Sequence, residues 1–305
     1  MTSAPTGLFA GGRAVPASLT GTLDDNTALR DDGERLNEQL NSQGYLYFRN
    51  VLELEPIQSV RQYILSRLHD VGEVCAPAEH AIASGDSRRQ EVAPDPGAFL
   101  QEMAELPLLR RTTHQGPLAE LAGRIIGQQA RPFDFLWLRF SPAGRASPLH
   151  FDHVYMNRGS PRVVTAWVPL GPVPASDGPL MVVEGSHRFV DLHEQYRGLD
   201  VDRQQGRTGA MDCDPVTLAK ARKTRLLTSD FEPGDVVIFG MFTLHGSFDN
   251  VSPAGRVRLS CDVRYQPAAD KTDLRWFGDP PPGHGGLGYA GLSAAQPLNA
   301  PPVRR

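Results

Sequence analysis

Pro148-Leu149-His150-Phe151-Asp152-His153 decides the reading of this chain, together with a distant partner, Leu244-His245-Gly246-Ser247. Alternate side chains of an extended strand point the same way. His150 and Asp152 are therefore expected to project from one face, about 7 Å apart. A His-x-Asp pair with one distant His is the ligand set of the facial triad, which leaves positions open on non-haem Fe(II) for a co-substrate and O2. In a chain with nine His and 35 acidic residues, one such pair could arise by accident. What surrounds each element raises its weight.

Outward from that stretch the pattern is strand-like. Residues 133–140 are aromatic and branched, and residues 149–156 carry the His-x-Asp pair. Residues 163–170, 180–183, 235–240 and 256–265 are further short apolar runs, separated by Gly/Pro turns. Many short strands at close spacing predict a barrel or sandwich. Before residue 127 the period is helical. Asp31-Asp32-Gly33-Glu34 reads as a helix start, Gly44 as a stop, and residues 45–51 as one short strand. Ile57, Val60, Ile64 and Leu68 make an apolar stripe after Pro56. Residues 99–109 and 118–126 read as two more helices, the second ended by Gly127.

The remaining segments lack periodicity. Residues 1–21 and 278–305 are rich in Gly, Ala and Pro and are expected to be disordered or extended tails. They flank one domain over 22–277. Residues 72–97, which include Arg88-Arg89, read as a loop. Residues 188–232 are charged and irregular and read as an insertion able to act as a lid over a site.

Composition excludes several classes. The 305 residues carry 40% hydrophobic and 22% charged side chains and a net charge of −4. That suits a globular protein and gives no basic footprint for nucleic acid or an anionic membrane. No apolar run reaches the length needed to span a bilayer, and residues 1–21 lack a signal-peptide pattern. Cys75, Cys213 and Cys261 form no C-x-x-C pair and no disulfide framework, so a cytoplasmic location is expected.

Four blocks together resemble the phytanoyl-CoA dioxygenase family of Fe(II)- and 2-oxoglutarate-dependent oxygenases. They are Gly44-Tyr45-Leu46-Tyr47-Phe48-Arg49-Asn50-Val51, then His150-Phe151-Asp152-His153, and then the glycine-led run from Gly178 to Gly185-Ser186-His187. The last is Gly234-Asp235-Val236-Val237-Ile238-Phe239 with His245-Gly246-Ser247, Asn250 and Arg256. The resemblance spans about residues 35–266. It implies a mainly β fold with flanking helices, a double-stranded β-helix (jelly-roll, cupin-like) barrel. It implies His150, Asp152 and His245 as ligands of Fe(2+). It implies 2-oxoglutarate as co-substrate, with Arg256, eleven residues after His245, on its distal carboxylate. Ser247 would add a hydrogen bond and Trp167 would lie beside the co-substrate.

Arg256, Arg258 and Ser260 alternate onto one face of their strand. Arg258-Leu259-Ser260 spells the R-x-S of other 2-oxoglutarate enzymes, but spacing from His245 favours Arg256. Arg258 would then be a rim ion pair. Trp137, Arg139, Tyr155 and Met156 are pocket-lining candidates, or simply core. His153 should face away from the metal, His187 should serve a turn, and His69, His80, His114, His193 and His284 have no context.

The implied activity is hydroxylation of a small organic molecule with O2, releasing succinate and CO2. The N-terminal half has no lysine to hold CoA phosphates, so a smaller substrate is expected. Halogenases of this class replace the acidic ligand, so Asp152 argues against halogenation; desaturation, epimerisation and cyclisation stay open. The alternative is a cupin-like jelly roll that binds a metal or ligand without oxidation. A carboxylate clamp separates the two, since a plain cupin has no use for one.

Overall fold

In a computed structural model, which describes residues 5–204 and 208–301, two β-sheets face each other and helices cover the larger one. Expectations for residues 1–4, 205–207 (Arg207 among them) and 302–305 lie outside the described residues. The chain opens with a hairpin, β1 (Phe9–Ala10) and β2 (Arg13–Ala14), followed by β3 (Thr20–Thr22). Then come α1 (Gly33–Gln43), β4 (Tyr45–Phe48), α2 (Leu54–Asp70), α3 (Arg89–Val92), α4 (Pro96–Ala104), α5 (Pro107–His114) and α6 (Gly116–Ile126). The second half contains β5 (Ala130–Pro132), β6 (Trp137–Ser141), α7 (His153–Met156), β7 (Val164–Pro169), β8 (Leu180–Val183) and α8 (Val190–Arg197). It ends with α9 (Pro215–Arg222), β9 (Leu226–Thr228), β10 (Val236–Gly240), β11 (His245–Ser247) and β12 (Arg258–Pro267).

Local chemistry sets the helix ends. Asp32 caps α1 by accepting the Arg35 N–H at 3.1 Å, and Gly44 ends it in the left-handed region at φ 83°. The run expected over 99–109 is two helices, because Pro107 cannot continue α4 and instead opens α5.

The large sheet has the order β4-β10-β7-β12-β5, with β6 also paired to β12; the small sheet runs β11-β8-β9-β3. Period-two alternation divides the large sheet cleanly. Leu259, Cys261, Val263 and Tyr265 of β12 and Val164, Ala166 and Val168 of β7 face the helices. There they join Ile57, Val60, Ile64 and Leu68 of α2 in the main core. The opposite faces look between the sheets, where Trp167, Val237 and Phe239 meet Leu180, Val182 and Leu227. This is the jelly-roll arrangement, though the two sheets do not close into a continuous barrel.

Three expectations are corrected. The N-terminal segment is not a tail: β3 pairs in parallel with β9, and Leu8 and Ala10 are buried against the back of the small sheet. The C-terminal segment is also folded. Tyr289, Ala294, Ala295 and Leu298 are buried, and the Arg89 Nη1 donates to the carbonyls of Ala294, Ala295 and Gln296, each at 2.9 Å. Arg89 itself forms a buried ion pair with Glu73, so the loop over 72–97 anchors the C-terminus. Proline and glycine there shape tight turns instead of preventing order. Residues 188–232, read as an insertion, are in their described part built into the small sheet. They supply α8, α9 and β9, and β9 is an internal strand of the small sheet. The Met211 N–H also donates to Leu149 O at 2.7 Å, beside the metal block.

Candidate metal and co-substrate site

His150 and His245 face each other across one antiparallel bridge. The backbone N–H of each donates to the other's carbonyl, at 2.9 and 3.2 Å. Asp152 does not continue a strand, as the sequence had suggested. Its backbone is helical (φ −61°, ψ −26°) and leads into α7. That turn still brings its carboxylate to the imidazoles: Asp152 Oδ1 lies 3.6 Å from His150 Nε2 and 3.7 Å from His245 Nε2. One ligand atom from each residue falls within 4.8 Å of the others.

The tautomers follow from the partners. His150 Nδ1 lies 2.9 Å from Pro148 O and His245 Nδ1 lies 2.9 Å from Thr243 O. A carbonyl can only accept, so each Nδ1 carries the proton and each Nε2 offers its lone pair inward. Burial, with His150 beside it, pushes the His245 pKa down to about 3, so the ring is neutral at pH 7. Burial acts to raise the Asp152 pKa. The Arg264 guanidinium outweighs it, together with His245 and His150, and holds the carboxyl well below its usual range. Thr165 donates to Asp152 Oδ2 at 2.5 Å and Arg264 Nη2 lies 3.2 Å from both oxygens. Two imidazoles with Nε2 facing inward and one oriented carboxylate fit a divalent metal with its supporting hydrogen bonds in place.

His150 and Asp152 of the triad line a cavity of about 460 Å³. Trp137, Arg139, Tyr155 and Met156 all line it, as do Arg258, Arg264 and His284. Arg258 is 4% exposed, donates to Ser260 Oγ at 2.5 Å and has, among the described residues, no partner for its Nε. Burial, with Arg139 nearby, lowers its pKa to about 10, so it stays charged at neutral pH. A buried guanidinium with unsatisfied donors is costly unless an anion joins it. Arg258 and Ser260 therefore fit one carboxylate of a bound dicarboxylate.

The three expected co-substrate residues lie elsewhere. Arg256 does not reach the cavity: its Nε lies 2.6 Å from Asp177 Oδ2, and its side chain is 41% exposed. Ser247 Oγ accepts the Ser147 N–H at 2.8 Å and so shapes the loop before the triad. Trp167 is packed between the sheets with Phe231, ring centroids 4.8 Å apart. The histidines outside the triad are mostly structural. His153 bonds Arg197 O, His187 bonds Asn41 O, and His193 bonds Ser186 O. His284 is the exception, because the folded C-terminus carries it to the cavity.

Arg264 and Thr165 were missed by sequence reasoning. The signal existed: Arg258, Ser260, Asp262 and Arg264 alternate with four apolar residues along β12, which places every polar one on the inner face.

Comparisons with known proteins agree with this geometry. The "1-deoxypentalenic acid 11-beta-hydroxylase" of Streptomyces exfoliatus is 29% identical over 265 residues, covering 82% of this chain and 88% of that protein. Among solved structures, EctD from S. alaskensis with 2-oxoglutarate and 5-hydroxyectoine superposes with a TM-score of 0.57 at 19% identity. It covers 97% of this chain and 98% of its own. The epimerase SnoN from nogalamycin biosynthesis, in complex with Fe3+, alpha ketoglutarate and nogalamycin RO, gives 0.52 at 20%, covering 79% and 85%. These two likenesses concern the fold. The family model for phytanoyl-CoA dioxygenase (PhyH) matches residues 40–258, most of the chain and all three triad residues, so the protein belongs to that family.

Proposed function

We propose that this protein is an Fe(II)- and 2-oxoglutarate-dependent dioxygenase that hydroxylates a small organic molecule. The observation that carries the reading is the pairing of a His-Asp-His triad, of which His150 and Asp152 line the cavity, with a buried, under-partnered Arg258 in the same lining. A metal-binding cupin without oxidative chemistry needs the triad but not the second anion site. Family membership and the hydroxylase relatives support the enzymatic reading.

His150, Asp152 and His245 would hold the iron, and 2-oxoglutarate would place its distal carboxylate on Arg258 and Ser260. Arg256, which has the family spacing from His245, is spent on Asp177. The iron, when bound, supplies O2 activation coupled to oxidation of 2-oxoglutarate to succinate and CO2. The chain's own residues do the rest. Pro148 O and Thr243 O fix the imidazole tautomers, and Thr165 and Arg264 orient the carboxylate. Trp137, Tyr155 and Met156 give substrate an apolar surface next to the triad. The C-terminal segment closes one side and limits water, which protects a reactive centre.

The substrate is small because about 460 Å³ is the range for a single drug-sized ligand. The Streptomyces relatives are named for hydroxylating a carboxylic acid. Incubation with Fe(II), 2-oxoglutarate and O2 tests the reading. Succinate should form slowly without substrate, stop when any of the three is withheld, and be absent from His245→Ala. Succinate formation that ignores Fe(II) would sink it.

A further inference from the structure

The charges around the cavity do not balance. The described lining residues include four guanidinium groups, Arg139, Arg145, Arg258 and Arg264, and a single carboxylate, Asp152. Three of the four are accounted for. Arg139 Nη2 lies 2.5 Å from Asp262, which sits behind it on β12. Arg264 rests on Asp152, its Cζ 3.9 Å from the Trp137 ring centroid. Arg258 is the cation assigned above to 2-oxoglutarate. Arg145 is left: among the described residues no carboxylate, carbonyl or hydroxyl meets its guanidinium. Metal and co-substrate do not remove the imbalance. A divalent ion and a dicarboxylate cancel each other, so among the described residues the surplus of positive charge persists with both bound.

Arg145 is also well held for binding. Its loop, between β6 and His150, is pinned on both sides by Asn250. Gly144 N–H donates to Asn250 O at 2.7 Å, and Asn250 N–H donates to Arg145 O at 2.9 Å. Ser247 holds Ser147 two residues further on. A pinned backbone lowers the ordering cost of using the side chain as a clamp. Next to it the cavity presents apolar surface from Phe140, Met156, Leu292 and Leu298.

We infer that the substrate is an organic acid whose carboxylate is held by Arg145, with its apolar body against Trp137, Met156 and the C-terminal segment. This rests on the dioxygenase reading and names the substrate class of that site. One free guanidinium fork matches one carboxylate with two parallel hydrogen bonds.

Adamantane-1-carboxylate and adamantane-1-carboxamide differ in charge but hardly in shape, and serve as probes. Their dissociation constants are measured by calorimetry, without O2, on protein loaded with Fe(II) and 2-oxoglutarate. Wild type should bind the acid roughly ten- to a hundredfold more tightly than the amide, the worth of hydrogen bonds to a charged group. Arg145→Met should erase that preference by weakening the acid alone. Equal affinities in wild type, including no binding of either, would overturn the inference, as would a preference retained by Arg145→Met. The visible 2-oxoglutarate chelate is recorded on the same wild-type samples. If it forms while acid and amide bind alike, only the substrate class fails. If it does not form, the dioxygenase reading fails first.

Discussion

Replacing Arg258 by Met should separate stability from co-substrate binding. In the free protein the Arg258 side chain is buried, donates to Ser260 and leaves its Nε unpartnered near the like charge of Arg139. Removing one member of a buried, hydrogen-bonded charge pair costs about 2–5 kcal/mol of binding. The lower part applies here, because the free site is already poorly satisfied and gains from losing the charge. About 2–3 kcal/mol corresponds to roughly a 30- to 150-fold rise in the 2-oxoglutarate Kd. Exchanging an under-partnered buried charge for an apolar group of similar length is neutral to stabilising, so the melting temperature of the metal-free protein should hold or rise. Arg256→Met should do the reverse. It leaves the Asp177 carboxylate, 3% exposed, without its partner, at a cost of about 1–3 kcal/mol of stability. It should leave the Kd within about twofold, since Arg256 does not reach the cavity. Calorimetric titration of 2-oxoglutarate and a melting curve on each variant give both quantities. A large loss of affinity in Arg256→Met, with none in Arg258→Met, would refute the assignment and restore the residue that the spacing from His245 favours.

Thr165→Val removes the hydroxyl that orients Asp152 and should weaken Fe(II) binding about 10- to 100-fold; competition with a metallochromic indicator measures this, and an unchanged affinity would remove Thr165 from the site. Arg89→Met leaves the buried Glu73 carboxylate without its cation, with only Ser87 Oγ and the Leu298 N–H still donating to it; it should cost about 3–5 kcal/mol and should speed hydrogen exchange over residues 289–300, and unchanged exchange there would mean that the C-terminal segment is anchored by something else. Burial, with Arg110 beside it, pushes the His114 pKa from 6.5 down to about 3. The unfolded chain therefore takes up a proton there below pH 6.5 and the folded one does not, so stability falls as pH drops from about 6.5 toward 3. Urea unfolding at pH 7 and pH 5 should show a larger loss for wild type than for His114→Gln, and equal losses would contradict the shift.

How much was legible in the sequence follows from the range of the forces involved. The triad was readable because His150 and Asp152 are two apart and His245 sits in its own motif. Even there the backbone at Asp152 turned into a helix, so the right residues converge by a different geometry from the expected strand. The helix stripe of Ile57, Val60, Ile64 and Leu68 was readable because periodicity reports one buried face. The Arg256 choice rested on spacing alone. Arg256 lies outside β12, in an isolated bridge with Ile82, and its guanidinium pairs with Asp177, 79 residues away, a tertiary contact that spacing does not show. The ends were misjudged for a related reason. Composition registers that Pro and Gly cannot extend a helix or strand. It does not register that a distant Arg89–Glu73 pair can hold such a segment by its carbonyls. Since that segment lines the cavity, its share of the substrate wall could not be read from sequence.

Anaerobic titration of the Fe(II)-loaded protein with 2-oxoglutarate tests the central claim most directly. A visible charge-transfer band should appear and saturate at one equivalent in wild type, because the three protein ligands leave room for a chelating 2-oxo acid. It should be absent from His245→Ala. A wild-type protein that binds Fe(II) but gives no band, or a His245→Ala protein that gives the full band, would contradict the assignment of His150, Asp152 and His245 as an oxygenase centre.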